Sequence, residues 1–94
     1  MEIVWLPKAI EGLDVVIEYL ENNWTEKQIK ELENDIQELL DRIKNYSFIG
    51  QPSGKNPHIR KTYPNKLTYL IYRVNQERNV IEIVNFRSTK QKPI

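Results

Sequence analysis

The chain has 94 residues, 39% of them hydrophobic, and no cysteine; that length makes one domain, residues 1–94, of ordinary globular composition, with no disulfide framework and no thiolate metal site. No apolar run approaches the roughly 20 residues that span a bilayer, and the opening residues lack the basic start and apolar stretch of a secretion signal, so a cytoplasmic protein with no membrane contact is expected. The net charge of +1 hides a division: residues 1–46 carry five Lys/Arg against eleven Asp/Glu, residues 47–94 nine against two, which points to an anionic partner for the second half.

Taken in chain order, Glu2–Trp5 is short, apolar and suited to a strand. Pro7 follows, in a position that favours the first turn of a helix. Ile10, Leu13, Val16, Ile17 and Leu20 then recur at helical spacing, and Trp24 closes the stripe. Gly12 weakens this helix by about 1 kcal/mol relative to alanine. Asn22-Asn23 breaks it. Thr25-Glu26-Lys27-Gln28 matches a capping box that opens a second helix. Ile29, Leu32, Ile36, Leu39, Leu40 and Ile43 form its apolar stripe, with Glu31, Glu33, Asp35, Glu38 and Asp41 largely off it. A link this short predicts an antiparallel helical hairpin.

Ser47–Pro57 reads as a loop, rich in Gly and Pro. Beyond it the periodicity falls to two. His58–Tyr63 is an expected strand, Pro64–Lys66 a turn, Leu67–Val74 a strong strand, Asn75–Asn79 a hairpin loop and Val80–Phe86 the last strand. The tail from Arg87 to Ile94 is polar and basic. The order β-α-α-β-β-β predicts an α+β fold of two layers, an antiparallel sheet whose edge takes up the first strand, with both helices on one face.

Several stretches together resemble the RelE/ParE superfamily, small toxins of bacterial type II toxin–antitoxin systems that include plasmid stabilisation proteins. Val4-Trp5-Leu6-Pro7-Lys8-Ala9 is similar to the strand and "SPKA" that begin these chains, and Leu13–Leu20 to their first helix, ended by Asn23-Trp24. Phe48-Ile49-Gly50-Gln51-Pro52 resembles the "P-x-I-G-x-P" after the second helix. Leu70–Val74 followed by Val80–Ile83 resembles the central hairpin, and Phe86–Pro93 a C-terminal "F-x-D-T-R-Q-N-P". The likeness runs over essentially the whole chain. Leu6 departs from it where a capping serine is usual. Ser88 stands for an acidic residue and Lys90 for an arginine, which gives up the bidentate fork for phosphate.

The resemblance implies a growth-arresting toxin neutralised by a cognate antitoxin. ParE-like members block DNA gyrase, while RelE-like members cut mRNA on the ribosome; a degenerate, non-toxic binding domain is the third alternative. The long helices look ParE-like. Metal-independent RNA cleavage needs a base for the 2′-hydroxyl, cations for the phosphorane and an acid for the leaving oxygen. The candidate catalytic residues for that case are Arg60, Arg73 and Arg87. Lys61, Tyr63, Tyr69, Lys90 and Lys92 are the candidates for binding target or antitoxin. No cofactor and no metal are expected, since nothing supplies a His/Cys cluster. His58 is expected at the surface, and Trp5 and Trp24 in packing.

Alternation places Tyr69 and Arg73 on the uncovered side of the sheet and Leu70, Tyr72 and Val74 toward the helices. Arg60 is expected beside Arg73, provided Ile59 is buried. On the last strand Val80, Val84 and Phe86 oppose Ile81, Ile83, Asn85 and Arg87. Both sets contain apolar residues, so either can face inward.

Overall fold

The structure is a computed structural model that describes residues 1–89. Strand β1 (Glu2–Trp5) leads into helix α1 (Pro7–Asn23) and then α2 (Glu26–Asn45). The two-residue strand β2 (Gln51–Pro52) precedes β3 (Ile59–Asn65), β4 (Thr68–Asn75) and β5 (Val80–Ser88). The fold is α+β, as expected. The sheet order is β1-β5-β4-β3-β2, with β1 parallel to β5 and every other pair antiparallel. Several details differ from the sequence reading: Pro64 and Asn65, read as turn, end β3, and Arg87 and Ser88, read as tail, end β5. Gln51-Pro52, read as loop, pairs with Lys61 and Arg60. A strand this short, ending in proline, suits a sheet edge because the missing N–H faces no neighbour. The first strand does join the edge, and it does so in parallel. A chain that leaves β1 by helices laid over one face returns to the sheet without a hairpin.

Each helix starts differently. Leu6 occupies the N-cap of α1 with extended backbone and no side-chain cap, and Pro7 sits at the first position. The Leu6 N–H donates to the Ile83 carbonyl at 3.0 Å, which ties the β1–α1 corner to β5. Helix α2 has the complete capping box: the Gln28 N–H donates to Thr25 Oγ1 and the Thr25 N–H to Gln28 Oε1. Ala9, Val16 and Leu20 of α1 are buried together with Leu32, Ile36, Leu39, Leu40 and Ile43 of α2. They pack on Leu70, Tyr72 and Val74 of β4 and on Ile81, Ile83 and Phe86 of β5.

Helix α1 crosses β5 at Gly12. A Cβ there would overlap the Phe86 carbonyl oxygen and lie 3.1 Å from the carbonyl carbon. The glycine that weakens the helix thus lets backbone meet backbone. The hairpin between β4 and β5 closes with Asn79 at φ 56°, a left-handed conformation that asparagine tolerates well.

The last strand resolves the ambiguity in its alternation. Ile71 pairs with Asn85 and Tyr72 with Ile83, so β5 holds one extra residue, Val84, opposite that step of β4. This is a β-bulge, and it reverses the side-chain phase. Ile81 and Ile83 face the helices before it, and Phe86 does so after it. Arg87, grouped by simple alternation with Ile81 and Ile83, therefore lies opposite Tyr69 on the uncovered side.

Candidate functional site

The uncovered face of the sheet is assembled by pairing register. Ile59 lies opposite Arg73 and Lys61 opposite Ile71. Arg73 lies opposite Glu82, Ile71 opposite Asn85 and Tyr69 opposite Arg87. All are half-buried or exposed. Lys61, Tyr69, Arg73 and Arg87 thus share one side, and Tyr63 joins them through its ring.

Arg60 does not. It pairs with Tyr72, whose side chain is buried under the helices. The expectation that Arg60 partners Arg73 is corrected, because Ile59 faces outward and not inward. The Arg60 guanidinium donates from Nε to the Pro57 carbonyl at 2.8 Å and from Nη1 to the Gly50 carbonyl at 3.1 Å. It also lies 5.0 Å from the centre of the Phe48 ring. Its contacts brace the loop between α2 and β3. Tyr72 braces the same loop: its hydroxyl donates to the Ser47 carbonyl at 2.8 Å and accepts from the Gly50 N–H at 3.0 Å. Burial pushes the Tyr72 hydroxyl above its ordinary pKa, against the opposing pull of the Gly50 backbone and of Arg60.

On the open face the cations divide into two groups. Arg73 Nε donates to Glu82 Oε1 at 2.8 Å, the one ion pair among the described residues. The hydrogen bond and attraction from Glu82 raise the Arg73 pKa, and Arg73 in turn holds the Glu82 carboxyl below its usual range. Arg73 is therefore a neutralised cross-strand pair, half exposed to solvent. Sequence reasoning missed this partner, though the signal was there. Counting back from the hairpin, with Asn75 opposite Val80, puts Glu82 across from Arg73.

The second group sits toward the β3–β4 turn. Lys61 Nζ lies 4.4 Å from the centre of the Tyr69 ring and 5.5 Å from that of Tyr63. The two rings are 6.3 Å apart, tilted by 59°. Tyr63 is 49% exposed. Arg87 stands across from Tyr69 and has no carboxylate partner among the described residues. His58 lies elsewhere, 3.3 Å from Gln76 Oε1 and edge-on to Phe48. Lys90 and Lys92 lie outside the described residues.

A separate groove of about 300 Å³ opens on the helical side, between α1, the start of α2 and the β3–β4 turn. Val15, Tyr19, Leu20, Trp24, Leu32 and Leu67 give it apolar walls, and Tyr19 is 60% exposed there. Among the described residues no group of His, Asp or Glu is placed to hold a metal ion, and no helix is long and apolar enough to cross a membrane.

The architecture is thus a five-stranded sheet with two helices on one side and a basic, aromatic opposite face, an α+β domain of two layers. The sequence profile of the ParE toxin of type II toxin–antitoxin systems, parDE, matches residues 3–93, and the chain belongs to that family. Among solved structures it is similar to the solution structure of conserved hypothetical protein HP0892 from Helicobacter pylori. The two share 13% identity with a TM-score of 0.58, over 95% of this chain and 94% of that one, which speaks for the fold alone. A search of curated proteins finds no significant match.

Proposed function

We propose that the protein arrests growth by binding DNA gyrase in the cytoplasm, as a single domain without chemistry of its own, and that a cognate antitoxin neutralises it. Membership of the ParE family supports the toxin role and implies the antitoxin. The observation that favours binding over RNA cleavage is the dispersal of the candidate catalytic set. Arg73 is engaged by Glu82, Arg60 braces a loop on the other side of the sheet, and His58 sits away from Arg87 beside Gln76. Cleavage would need an acid, a base and cations converging on one phosphate.

The antitoxin is expected to contribute a segment that is disordered alone and folds on this chain. Its apolar side chains have a seat in the groove beside Tyr19 and Trp24, and its acidic ones in the basic second half of the chain. A small acidic-tailed DNA-binding protein encoded beside this gene would fit that role, whereas an isolated gene would count against it.

Induced expression, with and without the neighbouring gene, tests the reading. Growth arrest with intact messages, loss of plasmid supercoiling and rescue by the partner are expected. Purified protein should inhibit gyrase-driven supercoiling in vitro. Messages cut at the ribosomal A-site would replace this reading with the endoribonuclease alternative, and absence of arrest would leave a non-toxic binding domain.

A further inference from the structure

We propose that β1 is a docking edge for a second copy of this chain, the two β1 strands pairing antiparallel across a two-fold axis so that both sheets run on as one. The inference goes beyond the gyrase reading and does not depend on it. It starts from backbone groups. The Glu2 N–H donates to the Asn79 carbonyl and the Leu6 N–H to the Ile83 carbonyl, so Glu2, Val4 and Leu6 turn their hydrogen-bonding groups toward β5. Ile3 and Trp5 turn theirs the other way. β1 is the last strand of the sheet on that side, and no strand among the described residues takes those groups up. The two edges of the sheet are guarded differently. β2 is two residues long and closes with Pro52. Proline, lysine and bulges discourage pairing at an edge, and Glu2–Trp5 has none of them.

The side chains select the occupant. With Ile3 of one copy opposite Trp5 of the other, and the reverse, each pair exchanges both hydrogen bonds, and Val4 meets Val4 at the axis with Cα atoms about 4.5 Å apart. Ile3 and Trp5 lie on the helix side, partly buried against the core, and this register covers what remains of each with the other. Val4 stands on the uncovered side, opposite Glu82 and 38% exposed, and its counterpart covers it. Sliding the strands two residues one way brings in Pro7, which has no N–H to give. Sliding them the other way sets Glu2 against Val4. Only the central register matches apolar with apolar around the axis on both faces and leaves Glu2 at the margin. A foreign strand would need the same length and the same alternation, whereas β1 supplies both to itself. Strands of four residues bury less than the about 1,000 Å² of a lasting complex, so association follows concentration.

The test is sedimentation velocity of the purified full chain from micromolar to millimolar concentration, with amide exchange read by NMR at both ends of the range. The average mass should rise from one chain toward two. Exchange at Ile3 and Trp5 should slow several-fold as it does, and the Val4 amide, which faces β5, should change little. Val4→Lys sets two like charges side by side at the axis and should weaken association more than about tenfold. Within one copy the lysine stands beside Glu82, so the fold tolerates it, and circular dichroism melts check this. Val15→Lys, in the helical groove, should leave association intact. A single-chain mass throughout overturns the proposal, and so does a dimer with Ile3 and Trp5 exchange unaltered, a reading independent of any variant. Association lost in Val15→Lys and kept in Val4→Lys would move the contact to the groove. Protection of Ile3 and Trp5 that comes only with the neighbouring gene's product would give the edge to that partner; either result also overturns it. Gyrase is absent from these measurements, so their outcome is distinct from that of the supercoiling test.

Discussion

Replacing Gly12 with alanine sets two effects of opposite sign against each other. On an exposed helix the change would stabilise the chain by about 1 kcal/mol, since glycine loses more backbone freedom on folding. Here the new Cβ would overlap the Phe86 carbonyl oxygen and approach its carbon to 3.1 Å. The obstacle is backbone in the middle of a sheet, so no side-chain rotation relieves it, and α1 must lift off β5. Overpacking of this kind costs about 1–3 kcal/mol, and a rigid neighbour puts it at the upper end. With the propensity gain set against it, a net destabilisation of about 2 kcal/mol is expected. For a chain of this size that lowers Tm by about 8–16 °C. Urea unfolding of the wild type and Gly12→Ala, with Glu11→Ala on the exposed side of the same helix as control, measures it. A Gly12→Ala variant more stable than the wild type would refute the close helix–strand contact on which the packing argument stands.

Three further outcomes follow from the same geometry. Tyr72→Phe should destabilise by about 1–3 kcal/mol, because the buried Gly50 N–H loses its acceptor; hydrogen exchange at Gly50 should quicken along with the fall in Tm. Thr25→Ala removes half of the α2 capping box and should cost about 1 kcal/mol, visible as a lower urea midpoint at unchanged m-value. Glu82 has a lowered folded pKa, so its pair with Arg73 contributes stability above the unfolded carboxyl value of about 4.3 and loses it as pH falls through the folded value. Solvent at the half-exposed Arg73 limits that contribution to about 1 kcal/mol or less. Urea melts of the wild type and Glu82→Gln should therefore differ slightly at neutral pH and converge in acid; a constant gap down the acid range would rule out this linkage.

Much of the architecture was legible from spacing alone. The apolar stripes of both helices, the Thr25–Gln28 box and the alternation of β4 each follow from neighbours a few residues apart, so the reading needed no knowledge of the rest of the chain. The inward face of Leu70, Tyr72 and Val74 and the outward face of Tyr69 and Arg73 are of this kind. The candidate site was legible in its residue types but not in their grouping. Arg60 leaves the face of Arg73 and Lys61 stands on it because Ile59 is on the solvent side, and alternation by itself does not say which way that isoleucine points.

What the amino-acid order determined by itself was therefore local: two amphipathic helices, three strands with turn chemistry between them, and a basic second half. Pairing across the sheet decided the remainder. The parallel placement of β1 arises from hydrogen bonds to a strand near the other end of the chain, and the extra residue at Val84 shows only in how β5 pairs with β4. One added residue in one strand turns every later side chain to the opposite face, and only the partner strand reveals that it is there. That single step carried Phe86 into the core and Arg87 out beside Tyr69.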